Sequence, residues 1–85
     1  MIKKREVVII DYGMGNIYSL HNALKYLGVK IEITDNPSKI SKSKILILPG
    51  VGSFKKAMQQ IKKKKINEAI SYANEKNSFI FGICL

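Results

Sequence analysis

Two stretches of this sequence are apolar and aliphatic without a break, Val7-Val8-Ile9-Ile10 and Ile45-Leu46-Ile47-Leu48. A third, Ser78-Phe79-Ile80-Phe81-Gly82-Ile83-Cys84-Leu85, has six apolar residues in eight. Runs of this kind suit strands covered on both faces, as in the middle of a parallel sheet. Val29, Ile31 and Ile33 alternate instead with Lys30, Glu32 and Thr34, the pattern of an edge or half-exposed strand. Between the strands, apolar residues recur at helical spacing: Ile17, Leu20, Leu24 and Leu27, then Phe54, Met58 and Ile61, then Ile66, Ala69, Ile70 and Ala73. The predicted order is β-α-β-β-α-α-β. Strands and helices alternating in this way argue for a doubly wound, mostly parallel α/β sheet.

The punctuation agrees with that order. Asn16 and Ser53 are good N-caps, and Gly28 stands where a helix needs a left-handed C′ residue. Asp35-Asn36-Pro37-Ser38 reads as a turn, with Pro37 preset to open a short helical turn. Lys62 to Lys65 reads as a solvated connection, and the last helix should end near Asn74 to Asn77.

The chain of 85 residues makes one small domain at most. Its apolar runs fall far short of the ~20 residues that cross a bilayer. Lys3-Lys4-Arg5 is no signal-peptide start, because Asp11 breaks the apolar run behind it. A single cysteine without a secretory leader points to a reducing cytoplasm. The net charge of +9 raises the question of nucleic acid, but the lysines are dispersed and no aromatics interleave the Lys62–Lys65 run. We therefore expect neither a nucleic-acid nor a membrane partner, and neither a cofactor nor a metal.

In doubly wound sheets, ligands gather beyond the carboxyl ends of the strands. Here those ends carry Asp11-Tyr12-Gly13-Met14-Gly15-Asn16, Pro49-Gly50-Val51-Gly52 and Cys84. The first loop contains G-x-G after a strand, but position 18, where a dinucleotide fingerprint wants its third glycine, is Tyr18, and Asp35 is a weak match for the ribose-binding acid. That reading is rejected, leaving a tight turn or a site of another kind. Pro49 to Gly52 is by itself a turn, or a stretch that presents backbone N–H groups to a developing oxyanion. A lone cysteine at a strand end is commonly inert packing. Gly82 two residues before Cys84 gives instead the spacing of a nucleophile elbow, with two glycine loops on the same edge. His21, the sole histidine, falls within the first helix and reads as partly exposed rather than as a base for the thiol.

Ile9 to Asn16, Leu48 to Phe54, and Phe81 to Leu85 together resemble the three signatures of one family. It comprises the glutaminase subunits of imidazole glycerol phosphate synthase, within the class I, triad-type glutamine amidotransferases. Asp-Tyr-Gly-Met-Gly-Asn with Pro-Gly-Val-Gly is specific to that subunit, whereas the cysteine motif alone indicates only the superfamily. The resemblance implies a flavodoxin-like α/β amidotransferase fold with Cys84 as the nucleophile that forms a thioester with glutamine. Gly50, Val51 and Gly52 correspond to the oxyanion strand, with the Leu85 N–H as second donor. Gly13, Met14, Gly15 and Asn16 correspond to a loop beside the partner. That partner is a (β/α)₈-barrel cyclase, which forms a heterodimer with the glutaminase and uses its ammonia in histidine biosynthesis.

The family's glycine after the cysteine motif, its histidine and its glutamate are not among these residues. The expectation is thus that 1–85 is the N-terminal part of one amidotransferase domain, stopping after the nucleophile strand, and inert and association-prone by itself. Two alternatives are a paralogue that feeds ammonia to surface-sugar amination and a non-catalytic, basic flavodoxin-like binding module.

Overall fold

A computed structural model describes residues 6–13, 15–50 and 53–83. Strand β1 (Glu6–Ile10) leads into α1 (Ile17–Tyr26), then β2 (Lys30–Thr34), α2 (Pro37–Lys42) and β3 (Ile45–Pro49). Helices α3 (Phe54–Lys63) and α4 (Ile66–Glu75) follow, and then β4 (Phe79–Ile83). The strands form one sheet in the order β2-β1-β3-β4. Every pairing is parallel, with Ile9 beside Ile33 and Ile47, and Pro49 beside Ile83. From β1 the chain crosses outward to β2, and from β3 it crosses the other way to β4. The point where strand order reverses therefore lies between the ends of β1 and β3, where doubly wound sheets place their ligands.

Alternation along the strands divides the core into two layers. Val8, Ile10 and Leu46 pack with Ile40, Ala57, Ile61, Ile66, Ala69 and Ala73 from α2, α3 and α4. Val7, Ile9 and Ile47 pack on the other face with Leu20 of α1. Ile9 and Ile10 are fully excluded from solvent. Burying an aliphatic side chain of this size is worth about 1.5–3 kcal/mol, so this sheet core carries much of the favourable folding energy.

The caps form where the sequence places them. Asn16 Oδ1 accepts from the Ser19 N–H at 3.2 Å, and Ser53 Oγ accepts from the Lys56 N–H at 3.3 Å. Gly28, at φ +79°, closes α1 with its N–H on the Lys25 carbonyl at 3.0 Å.

Four local differences from the sequence reading have physical causes. The turn at Pro37 extends into a six-residue helix, α2, because Asn36 caps it at Ser38 and Ile40 is buried against the sheet. Leu27 leaves the α1 stripe, being the C-cap and 72% exposed. Lys64 is half-buried rather than solvated, its Nζ 3.2 Å from Asp35 Oδ2. Finally, β4 is an edge strand, with Phe79 and Phe81 62% and 51% exposed. Neither is among the residues that pack with Leu20 of α1 on the sheet's other face.

Charged side chains stay at the surface. Lys39 reaches Glu32 at 2.6 Å, linking α2 to β2, and that hydrogen bond and charge raise the lysine's pKa above its ordinary value. The pair is exposed, so its contribution to stability is small.

Candidate active site

Because all four strands run parallel, the ends of β1, β3 and β4 lie along one edge of the sheet. From β1, the Asp11 N–H continues the ladder to the Thr34 carbonyl at 2.9 Å. The Asp11 carboxylate then turns back, Oδ1 accepting the Gly13 N–H at 3.0 Å. This Asx turn tightens the loop, and the next tight position is Gly15, at φ +95°. A Cβ on Gly15 would stand 2.7 Å from the Pro49 Cβ, so glycine is required both by the backbone angle and by the approach of the two loops. Gly13, Gly15 and Asn16 are exposed.

Tyr12, between these groups, is 2% exposed and packs with the α2–α4 layer of the core. Its hydroxyl donates to the carbonyl oxygen of Pro49. The sequence reading assigned Tyr12 no role. A signal was present, since an aromatic with a polar tip inside a glycine loop buries its ring and seeks a partner for its hydroxyl.

From β3, Pro49 is buried and Gly50 half-buried. The Gly50 N–H donates to the Ile83 carbonyl at 2.6 Å, carrying the β3–β4 ladder to the final residue of β4. One peptide group, joining Pro49 to Gly50, is therefore held at both ends: its C=O by Tyr12 and its N–H by Ile83. The Gly50 N–H is committed to the sheet.

Of the residues singled out from the sequence, the structure brings Gly13, Gly15 and Asn16 to the same edge as Gly50. Met14, Val51, Gly52, Cys84 and Leu85 lie outside the described residues, Cys84 being next in the chain after Ile83. His21 is half-buried in the second turn of α1. Among the described residues no group of three His, Cys, Asp or Glu side chains is placed to hold a metal ion, and no helix is long and apolar enough to cross a membrane.

Comparison with known proteins accords with this geometry. The profile described as "Glutamine amidotransferase class-I" matches residues 8–85, from within β1 to the last residue. Similar curated proteins include "Imidazole glycerol phosphate synthase subunit HisH" of Moorella thermoacetica, 44% identical over 81 residues, covering 95% of this chain and 39% of that protein. The proteins of the same name from Bacillus velezensis and Symbiobacterium thermophilum are 40% and 38% identical over 77 and 79 residues. Those alignments cover 91% and 93% of this chain, and 36% and 37% of the relatives. The chain thus spans somewhat under two fifths of the length of these relatives. With a parallel doubly wound sheet and a profile match over nearly all its residues, the chain belongs to the class-I glutamine amidotransferase family.

Proposed function

We propose that the protein to which these residues belong is a glutaminase that supplies ammonia to a synthase partner, in the manner of the HisH subunits it resembles. The Cys84 thiolate attacks the carboxamide carbon of glutamine. The C–N bond of the resulting tetrahedral adduct breaks, and the nitrogen leaves as ammonia after gaining a proton. Water then cleaves the thioester to glutamate and returns the thiol. A thiol near its free pKa is a weak nucleophile, so the site must also supply a base or a positive environment. The family resemblance assigns that role to a histidine and a glutamate other than His21.

The oxyanion is assigned to backbone N–H groups of Val51 or Gly52 and of Leu85. Gly50 is left out as a donor and kept as the hinge of that stretch, since its N–H bonds Ile83. Gly13 to Asn16, three of which are described and exposed, form the rim on which a (β/α)₈-barrel cyclase partner would rest. The setting is the cytoplasm.

The observation that carries this reading is the convergence of the Asp11–Asn16 loop, Pro49–Gly50 and the end of β4 on one sheet edge, at the switch point of a glutamine amidotransferase fold. The test is glutamate release by the complete protein with its synthase partner. Cys84→Ala should abolish it while synthesis from added ammonium salt continues. Unchanged glutamate release from Cys84→Ala would refute the assignment.

A further inference from the structure

The net charge of +9 is not shared evenly along the chain. Residues 36–67 hold nine lysines and no acidic side chain, whereas the remaining residues hold six basic and six acidic ones. All of the excess charge therefore lies between the start of α2 and the start of α4. Eight of the nine lysines stand on α2, on α3 or in the turn after it, and β3 carries none. Helices α2 and α3 pack on one face of the sheet and α1 on the other. Lysines that look dispersed in the sequence are thus gathered by the fold onto one side.

Helix α3 concentrates them. Ala57 and Ile61 are buried against the core, which turns Lys55, Lys56, Gln59, Lys62 and Lys63 outward, and all five are exposed. The four lysines form two pairs seven residues apart, about 10 Å along the helix axis. Lysines nearby are paired with carboxylates, Lys39 with Glu32 and Lys64 with Asp35. Among the described residues, none of the four on α3 forms an ion pair. The face is therefore a stripe of uncompensated positive charge with one amide in its middle.

We propose that the outer face of α3 binds the phosphate backbone of duplex DNA, without reading its sequence, a property separate from the glutaminase reading above. Duplex DNA carries one negative charge per ~1.7 Å of axis, so two lysine pairs ~10 Å apart meet several phosphates at once. A protein partner fits the face less well, because interface cores favour aromatic residues, Met and Arg and are poor in Lys. A single strand is held largely by stacking on aromatics, and no aromatic residue lies between Lys55 and Lys65. The major groove of duplex RNA is too narrow for side chains, whereas that of B-DNA, ~12 Å wide, admits a helix. With no arginine or aromatic on the stripe, contacts stay on the phosphates and specify no base.

The test is fluorescence anisotropy of a labelled 20-base-pair DNA duplex titrated with the complete protein over a range of salt concentrations. The expected Kd is about 10⁻⁶–10⁻⁴ M at physiological salt, alike for unrelated sequences. The logarithm of the association constant should fall against that of salt with a slope of about −3.6 or steeper, from −0.9 for each of four phosphates. Lys55→Gln, Lys56→Gln, Lys62→Gln and Lys63→Gln together should weaken binding at least about tenfold and flatten the slope by about the same 3.6. Lys25→Gln, Lys30→Gln and Lys76→Gln together, which remove charge away from α3, should leave more than half of the slope. No binding by the wild-type protein overturns the inference, as does equal weakening by the two sets of substitutions, since net charge alone then acts. Tighter binding to single-stranded DNA, to duplex RNA or to polyglutamate overturns it too, polyglutamate indicating an acidic protein as the occupant.

Discussion

Gly15 lies so close to Pro49 that a side chain on it would overlap the proline ring, the two Cβ positions being 2.7 Å apart. Gly13, two residues earlier, has a similar backbone angle, φ +86° against +95°, but nothing among the described residues within 4 Å of its Cβ position. The pair separates two costs that glycine substitutions usually mix. Gly13→Ala pays for the left-handed backbone alone, about 1–2 kcal/mol. Gly15→Ala pays that and also displaces Pro49, for a total of about 2–5 kcal/mol. Urea unfolding of the complete protein measures both, and equal losses would show that the two loops are not in tight contact.

Among the described residues, two other than glycine also hold a left-handed backbone, Lys65 at φ 60° and Asn77 at φ 64°. Asn tolerates this conformation at lower cost than Lys. Lys65 is also the N-cap of α4 and makes no side-chain cap bond there. Lys65→Asn should therefore stabilise the protein by about 0.5 kcal/mol, and Asn77→Lys should destabilise it by a similar amount. Shifts of the same sign in the two denaturation midpoints would contradict this account.

Strand β4 presents Phe79 and Phe81 and one unpaired edge among the described residues. Exposed, apolar strand edges recruit other chains. A polypeptide of residues 1–85 alone should thus self-associate, and more strongly as salt screens its net charge of +9. Light scattering should record that trend, with a marked reduction on replacing Phe79 and Phe81 by Thr. A monomer at every salt concentration would show that the edge is not adhesive.

Strands, caps and helix stops were legible because each is written within a few neighbouring residues. Val7–Ile10 has no polar break, Asn16 and Ser53 precede apolar stripes, and Gly28 stops one. That the ends of β1, β3 and β4 share one edge followed from the parallel order alone. What stayed illegible depends on partners distant in sequence. The Tyr12 hydroxyl finds Pro49 across 37 residues, and the length of α2 depends on a pocket for Ile40. The face of β4 is likewise decided by which element covers it: α1 shields Ile9 and Ile47 but not Phe79. Sequence also leaves Gly50 indistinguishable from Gly52, whereas the ladder bond to Ile83 commits the Gly50 N–H.

The central claim is that Cys84 forms a covalent intermediate with glutamine, and rapid quenching tests it most directly. The complete protein, with its synthase partner, is mixed with glutamine, quenched in acid within the first turnover, digested and analysed by mass spectrometry. A glutamyl adduct on the peptide bearing Cys84, absent from Cys84→Ala, is the predicted result. Glutamate formed at the normal rate with no adduct, or with the adduct on another residue, would contradict it.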